Sequence, residues 1–388
     1  MIGEDRNSRI ESGTVSRTET QWTKLRGSNM WVLSNSAAGK IVSDKFGPAA
    51  RKKPNYIPIG REVKILMDLV SEGVPVVLTG PPGIGKTTLI TMVYHQLGLP
   101  LQTFLASSAT QAHELMGRIG AGGVEGELTC WIDGKLSLAS RAAAGGLVSG
   151  FYLDEVIKLP NDIASVLFSV IDSRATLPLP TGEEILMGQN LKCVFSYNPT
   201  KGRHLEDALR SRMTAIRMGY APIEVETKVL LSPDIGNLGG VRSGAEIARG
   251  LVTFANVIRY AHGFDVDERT PKPSDAEKKL LQLLPGPPST RSLVVASRMI
   301  ARGEYNPQEA LELFVVPSLL QDTHDFEMPS LIGLMDKLCK ELIPDVKLVD
   351  SHRSVLADFN DGVTEQTAKE YETSLIAAQV MREWKKRG

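Results

Sequence analysis

The sequence predicts an α/β fold in which a mainly parallel sheet is flanked by helices and followed by a small helical domain and a helical C-terminal extension. Three observations carry this expectation. Short apolar or β-branched runs, of the kind that form strands buried on both faces, alternate with helical segments between about residues 57 and 200. Glycines follow the first run at once, at Gly80, Gly83 and Gly85, as a tight strand-to-helix turn requires. Past Pro222 the strand signals fade and helical periodicity dominates.

Taken in order, residues 1–55 are rich in Ser, Thr, Asn, Arg and Lys and carry ten basic residues against five acidic ones, which predicts a flexible basic arm. An α/β domain is expected over 56–221. Its elements read as a helix at 61–71, a strand at 74–79, a helix at 86–97 and a strand at 99–105. A glycine-rich stretch follows at 117–126, then a helix near 136–144 and a strand at 147–153. Residues 161–173 have amphipathic spacing, and 176–190 place a Thr181-Gly182 turn between two extended arms, a hairpin signal. A last buried strand is expected at 191–197. A lid of helices at 225–231, 243–262, 291–302 and 307–320 then occupies 222–325, and 326–388 form the extension.

At 388 residues and roughly 150 residues per domain, two to three domains are expected. Hydrophobic residues at 42% and charged residues at 23% exclude global disorder. A net charge of -1 leaves none of the whole-molecule basic footprint of a nucleic-acid coat protein. Cys130, Cys193 and Cys339 are too far apart for zinc-site spacing and predict reduced, structural thiols. No apolar run approaches the roughly 18–20 residues that span a bilayer, and residues 1–5 lack the basic-then-apolar start of a signal sequence; a cytoplasmic location is the expectation.

Gly80-Pro81-Pro82-Gly83-Ile84-Gly85-Lys86-Thr87 matches G-x-x-x-x-G-K-[ST] between an expected strand and an expected helix. The glycines let backbone N–H groups point at β and γ phosphates, Lys86 adds a full charge and Thr87 a hydroxyl for Mg²⁺, and Thr88 is counted with Gly80 to Thr87 as nucleotide-binding. About 70 residues on, Phe151-Tyr152-Leu153-Asp154-Glu155 is an apolar strand ending in two acids, expected to finish beside the first strand. Asp154 can hold Mg²⁺ through water and Glu155 can polarise an attacking water. Adjacent acids can also simply open a helix.

Cys193-Val194-Phe195-Ser196-Tyr197-Asn198-Pro199 is a third buried strand. The Asn198 amide can donate to a γ phosphate and accept from water, or Asn-Pro can serve only as a turn initiator. Arg210 and Arg212 follow, two residues apart, so at most one reaches a given site; a guanidinium answers transition-state charge on a γ phosphate. Arg291 falls in the first turn of a helix, where the dipole disfavours a cation, so it is a candidate phosphate contact.

This ordered set resembles the AAA+ ATPases and, within them, the MoxR group, most closely its CbbQ/NirQ/NorQ branch, with the gas-vesicle protein GvpN as a relative. The marks of the branch are Tyr56-Ile57-Pro58, Glu114-Leu115-Met116-Gly117-Arg118, Trp131-Ile132-Asp133-Gly134-Lys135-Leu136, the strand ending in Glu155, and Ser196-Tyr197-Asn198-Pro199, spread over about residues 56–320. The resemblance implies a P-loop core with Walker A at Gly80 to Thr87, Walker B at Asp154 and Glu155, sensor 1 at Asn198, an arginine finger at Arg212 with Arg210 as the alternative, and sensor 2 at Arg291. Met213 stands where the family usually has an aromatic. The stretches 117–130 and 176–190 would be insertions facing a pore or partner. ATP and Mg²⁺ as cofactors, a homo-oligomeric, commonly hexameric ring, and a partner with a von Willebrand factor A domain are implied as well. Such pairs are chaperones that activate or remodel a client enzyme. A nucleic-acid-directed motor or loader and a gas-vesicle-type assembly ATPase are the alternatives, the first disfavoured by the near-neutral charge.

Overall fold

The computed structural model describes residues 22–24, 31–33, 53–121, 129–199, 204–321 and 328–346. Within the segment expected as a flexible arm, β1 (Trp22–Lys24) and β2 (Trp31–Leu33) pair antiparallel; the remainder up to residue 52 lies outside the described residues, as does the expected helical extension from residue 347 onward. The chain folds as two compact units, one of residues up to Gly80 and Gly85–Met218, the other of Pro81–Ile84 and residues from Gly219 onward.

The first unit begins its ordered run with α1 (Glu62–Glu72), which ends where Gly73 turns left-handed at φ 78°. It continues through β3 (Val76–Thr79), α2 (Lys86–Gln96), β4 (Leu101–Leu105) and the single turn α3 (Ala112–Leu115). Residues 117–121 of the glycine-rich stretch form β5 (Gly117–Ala121), which pairs with β6 (Thr129–Asp133); residues 122–128 between them lie outside the described residues. Ile119, Trp131 and Ile132 supply the β-prone side chains. Gly117 adopts φ 121°, and a Cβ there would lie 2.8 Å from the Trp131 ring, so the close approach needs glycine. Then come α4 (Lys135–Ala144), β7 (Ser149–Asp154), α5 (Asn161–Ile171), the hairpin β8 (Thr176–Pro178) and β9 (Glu184–Leu186), β10 (Leu191–Tyr197), the short α6 (Asp207–Arg210) and β11 (Thr214–Arg217).

Five of these strands form one parallel sheet in the order β11-β3-β10-β7-β4. The strand ending in Asp154 therefore does not adjoin β3, contrary to the sequence expectation: β10 lies between them. Both β7 and β10 are apolar and buried along nearly their whole length, so each needs a neighbour on either edge and covering layers on both faces. β11 escaped the sequence reading because Thr-Ala-Ile-Arg, mostly exposed, is an edge strand held by main-chain pairing rather than by an apolar run.

Side chains alternate across the sheet. Phe151, Leu153, Cys193 and Phe195 point into one core with Leu136, Ala139, Ile163 and Leu167 from α4 and α5. Burial there pushes the Cys193 thiol up to about 12, in keeping with a structural thiol. Gly150 and Tyr152 point the other way, toward α2, where Tyr94 packs over Gly150 and donates a hydrogen bond to the Lys192 carbonyl at 2.8 Å.

The second unit is helical: α7 (Ile223–Leu231), α8 (Gly244–Ala261), α9 (Asp275–Leu281), α10 (Thr290–Ala301), α11 (Pro307–Phe314), α12 (Val316–Leu320) and α13 (Met328–Leu342). The helix expected over 307–320 is two helices, with Pro317 in the first turn of α12, where its missing N–H and its ring interrupt the hydrogen-bond ladder from the preceding turn. α9, missed in a charged stretch, is started by a Ser274–Glu277 capping box. The central α8 packs with α13, whose Leu331, Leu334, Met335 and Leu338 recur at helical spacing and join the same core. This core therefore runs past residue 325, where the sequence reading ended the lid. Among the described residues no helix is long and apolar enough to cross a membrane.

Gly150→Ala should overlap the fully buried Tyr94 ring and lower stability by about 1–3 kcal/mol, read as a reduced urea midpoint of the full chain.

Candidate functional site

The three central strands end side by side, and their C-terminal ends bring five candidate residues together. Lys86 is buried at the start of α2, and its Nζ donates to the Gly80 carbonyl at 2.8 Å and to Asn198 Oδ1 at 2.6 Å. The other end of the same amide, Asn198 Nδ2, donates to Glu155 Oε1. An acceptor facing an ammonium and a donor facing a carboxylate fix the sense of that amide. Glu155 Oε2 also lies 3.6 Å from Lys158 Nζ. Thr87 Oγ1 lies 3.5 Å from Asp154 Oδ2 and 3.1 Å from the Tyr152 hydroxyl, which is 2.9 Å from Ser196 Oγ. Ser196 in turn donates to Asp154 Oδ1. Burial pushes the Tyr152 phenol well above its ordinary range, so it is protonated at neutral pH.

Backbone geometry shapes the turn around Lys86. Gly85 is left-handed at φ 98° where it precedes α2, and Gly83 at φ 72°, conformations that turn successive N–H groups to one side. The Tyr56 ring lies over Gly85, 3.4 Å from where a Cβ would stand, and its hydroxyl donates to Glu62 at 3.1 Å. Thr88 follows Thr87 in the first turn of the helix. The loop tip, Pro81–Ile84, groups with the helical unit; there Pro82 is exposed, Ile84 is buried, and a Cβ on Gly83 would lie 2.8 Å from Ser289 Cβ and 3.3 Å from Arg291 Cβ. Glu155 is a non-glycine residue at φ 56°.

Residues 75–213 match the sequence profile of the AAA domain (dynein-related subfamily). The protein NorQ of Paracoccus denitrificans is 31% identical over 282 residues, 71% of this chain and 91% of that protein. The denitrification regulatory protein NirQ of Stutzerimonas stutzeri is 30% identical over 68% of this chain and 86% of its own length. CbbQ of Hydrogenophilus thermoluteolus is 29% identical over 70% and 91%. The chain belongs to the CbbQ/NirQ/NorQ branch of the MoxR-type AAA+ proteins. It is thus a nucleotide-binding protein of the AAA ATPase family.

The three candidate arginines of this CbbQ/NirQ/NorQ-branch chain are all exposed. Arg210 is exposed and pairs with Asp207 at 2.7 Å. Arg212, also exposed, donates to the Ala208 carbonyl at 2.8 Å and stands 5.7 Å from the Phe168 ring centroid. Arg291 is exposed in the first turn of α10, which Ser289 caps by accepting from Ser292 N at 3.1 Å.

Two arrangements went unread in the sequence. Arg141 on α4 ties the end of β6 to the β8–β9 turn: its Nη atoms donate to the two Glu183 oxygens at 2.6 and 2.8 Å, and its Nε to Asp133 at 2.8 Å. In the helical unit, Arg259 and Glu226, both fully buried, form a bidentate pair at 2.6 and 2.9 Å. Arg259 also donates to Asn256 Oδ1 and the Pro288 carbonyl and lies 3.9 Å over the Tyr220 ring, while Thr290 Oγ1 donates to Glu226 at 2.6 Å. The pair therefore anchors the segment that carries Arg291. Its members are far apart in sequence, and no local signal links them.

Glu226→Ala should strand the buried guanidinium and lower stability by about 3–5 kcal/mol, whereas the double variant Glu226→Leu with Arg259→Met should lose much less; urea unfolding of the three chains checks this.

Proposed function

We propose that this chain is a Mg²⁺-dependent ATPase that hydrolyses ATP at the interfaces of a ring, commonly a hexamer in its family. It would use that cycle, with a partner carrying a von Willebrand factor A domain, to remodel or activate a client enzyme. The observation that carries this reading is the meeting of Lys86, Thr87, Asp154, Glu155 and Asn198 at the ends of β3, β7 and β10.

Each residue has a role that its chemistry suits. The N–H groups of Lys86, Thr87 and Thr88, at the start of an 11-residue helix, offer donors and a positive dipole end to β and γ phosphates, and the buried Lys86 ammonium adds a full charge. Thr87 Oγ1 and Asp154 would hold Mg²⁺, and the residues fit it: two hard oxygen donors converge, with no larger group of three or more His, Cys, Asp or Glu among the described residues, as suits a cation that takes its other ligands from phosphate and water. When bound, the ion neutralises charge developing on the phosphates. Glu155 would orient and polarise the attacking water, with Asn198 linking its carboxylate to Lys86. The exposed Arg212 would be offered to the adjacent copy, and the exposed Arg291 would serve as a phosphate contact.

The client-directed part of the reading rests on the regulatory role in the name of the NirQ relative and on apolar side chains that the two hairpins present to solvent. Ile119 and Ile132 on β5 and β6 and Leu186 on β9 are 67%, 45% and 59% exposed, unusual for residues of their size.

Glu155→Gln should still bind ATP but turn it over at least about 100-fold more slowly, and Arg212→Ala should lose about 10³-fold or more. Mixing the two inactive variants should restore measurable phosphate release, because some interfaces then combine an intact Glu155 with an intact Arg212. If Arg212→Ala and Arg210→Ala each hydrolyse ATP at the wild-type rate, the shared site is wrong.

A further inference from the structure

We propose that Tyr152 and Ser196 are positioning residues for the divalent cation. A one-way chain of hydrogen bonds, Thr87 Oγ1 to Tyr152 OH to Ser196 Oγ to Asp154 Oδ1, turns the free acceptor faces of Thr87 Oγ1 and Asp154 Oδ2 toward one shared Mg²⁺ site. The inference rests on the preceding reading of Thr87 and Asp154 as the cation's protein ligands.

The direction of the chain follows from counting protons. Each hydroxyl has one hydrogen to give and two lone pairs to receive with. Ser196 gives its hydrogen to the Asp154 carboxylate, which has none to offer. Across the 2.9 Å contact Tyr152 must therefore be the donor, and across the 3.1 Å contact Thr87 must be. If Thr87 gave its hydrogen to Asp154 Oδ2 instead, at 3.5 Å, the shorter contact with Tyr152 would join two oxygens with no hydrogen between them. With its proton so committed, Thr87 Oγ1 has lone pairs available for a cation.

The carboxylate is polarised in the same sense. Asp154 Oδ1 accepts from both Ser196 Oγ and the Glu155 backbone N–H at 2.9 Å, which leaves Oδ2, the oxygen nearer Thr87, for the metal. Tyr152 and Ser196 are themselves fully buried, on adjacent strands whose register pairs Tyr152 with Val194, two residues before Ser196 on the same face. Packing thus holds both hydroxyls in place, away from solvent that could scramble the order of donors. Neither residue needs to touch nucleotide or metal for this; each acts through the ligand beside it.

The test is the Mg²⁺ dependence of nucleotide binding by the full chain, measured with a fluorescent non-hydrolysable ATP analogue, first in excess EDTA and then over a Mg²⁺ titration. Tyr152→Phe and Ser196→Ala should each bind the analogue within about 2-fold of wild type in EDTA, yet need about 10-fold or more Mg²⁺ for half-maximal tightening. Asp154→Asn should abolish the tightening. A wild-type Mg²⁺ midpoint in Tyr152→Phe, or an equal loss with and without Mg²⁺, would overturn the inference, the second outcome marking a merely structural role. Should Tyr152→Phe fail to fold, Ser196→Ala breaks the same chain at its other link and decides alone. If Asp154→Asn tightens on Mg²⁺ as wild type does, the assignment of the metal ligands itself is wrong, which is a different failure.

Discussion

The register of three neighbouring parallel strands is the constraint on which the candidate site depends. β10 pairs with β3 through Tyr197 opposite Thr79 and with β7 through Phe195 opposite Leu153. Because side chains alternate with a period of two, even-numbered positions of β7 and β10 face α2 and carry Tyr152, Asp154 and Ser196, while odd-numbered ones fill the apolar core. Slipping one strand by a residue would bury Ser196 among phenylalanines and expose Phe195 to the polar cluster. The apolar pattern and the polar network thus specify the same alignment, and each protects the other from error.

That agreement explains how much was legible in the sequence. Buried strands announce themselves by composition, so 191–197 was placed as observed and 147–153 nearly so. The glycine-lysine-threonine turn was legible because those residues fall in that order between an apolar run and a helical segment, the context a phosphate-binding turn needs. What sequence could not supply was adjacency. Nothing local says that β10 inserts between β3 and β7, or that a four-residue polar edge strand completes the sheet at 214–217. The partners of Asn198 and of Ser196 follow from that order, so the identity of the candidates was readable while their wiring was not. Arg141 and the Glu226–Arg259 pair were hidden for the same reason: a lone arginine on an amphipathic helix resembles any solvated charge until its distant carboxylates are placed.

The two units solve the same problem by different means. In the sheet unit, polar groups sit at strand ends, where the layers open and each hydroxyl or carboxylate finds another within reach. In the helical unit a full ion pair is sunk in the core, and it persists because every group around it takes part: an asparagine amide, a proline carbonyl, a threonine hydroxyl and a tyrosine face. Completeness matters here more than attraction, since desolvation offsets much of the Coulomb gain. The result is a fully bonded base under the turn bearing Arg291.

The left-handed backbone at Glu155 sets a lasting conflict. Glycine would relax that turn, as would asparagine to a lesser degree, but either would delete the carboxylate that Asn198 grips. The side chain that would ease the backbone and the side chain that keeps the Asn198 contact are thus different residues, and a stability-driven redesign that optimises every position independently would break the contact.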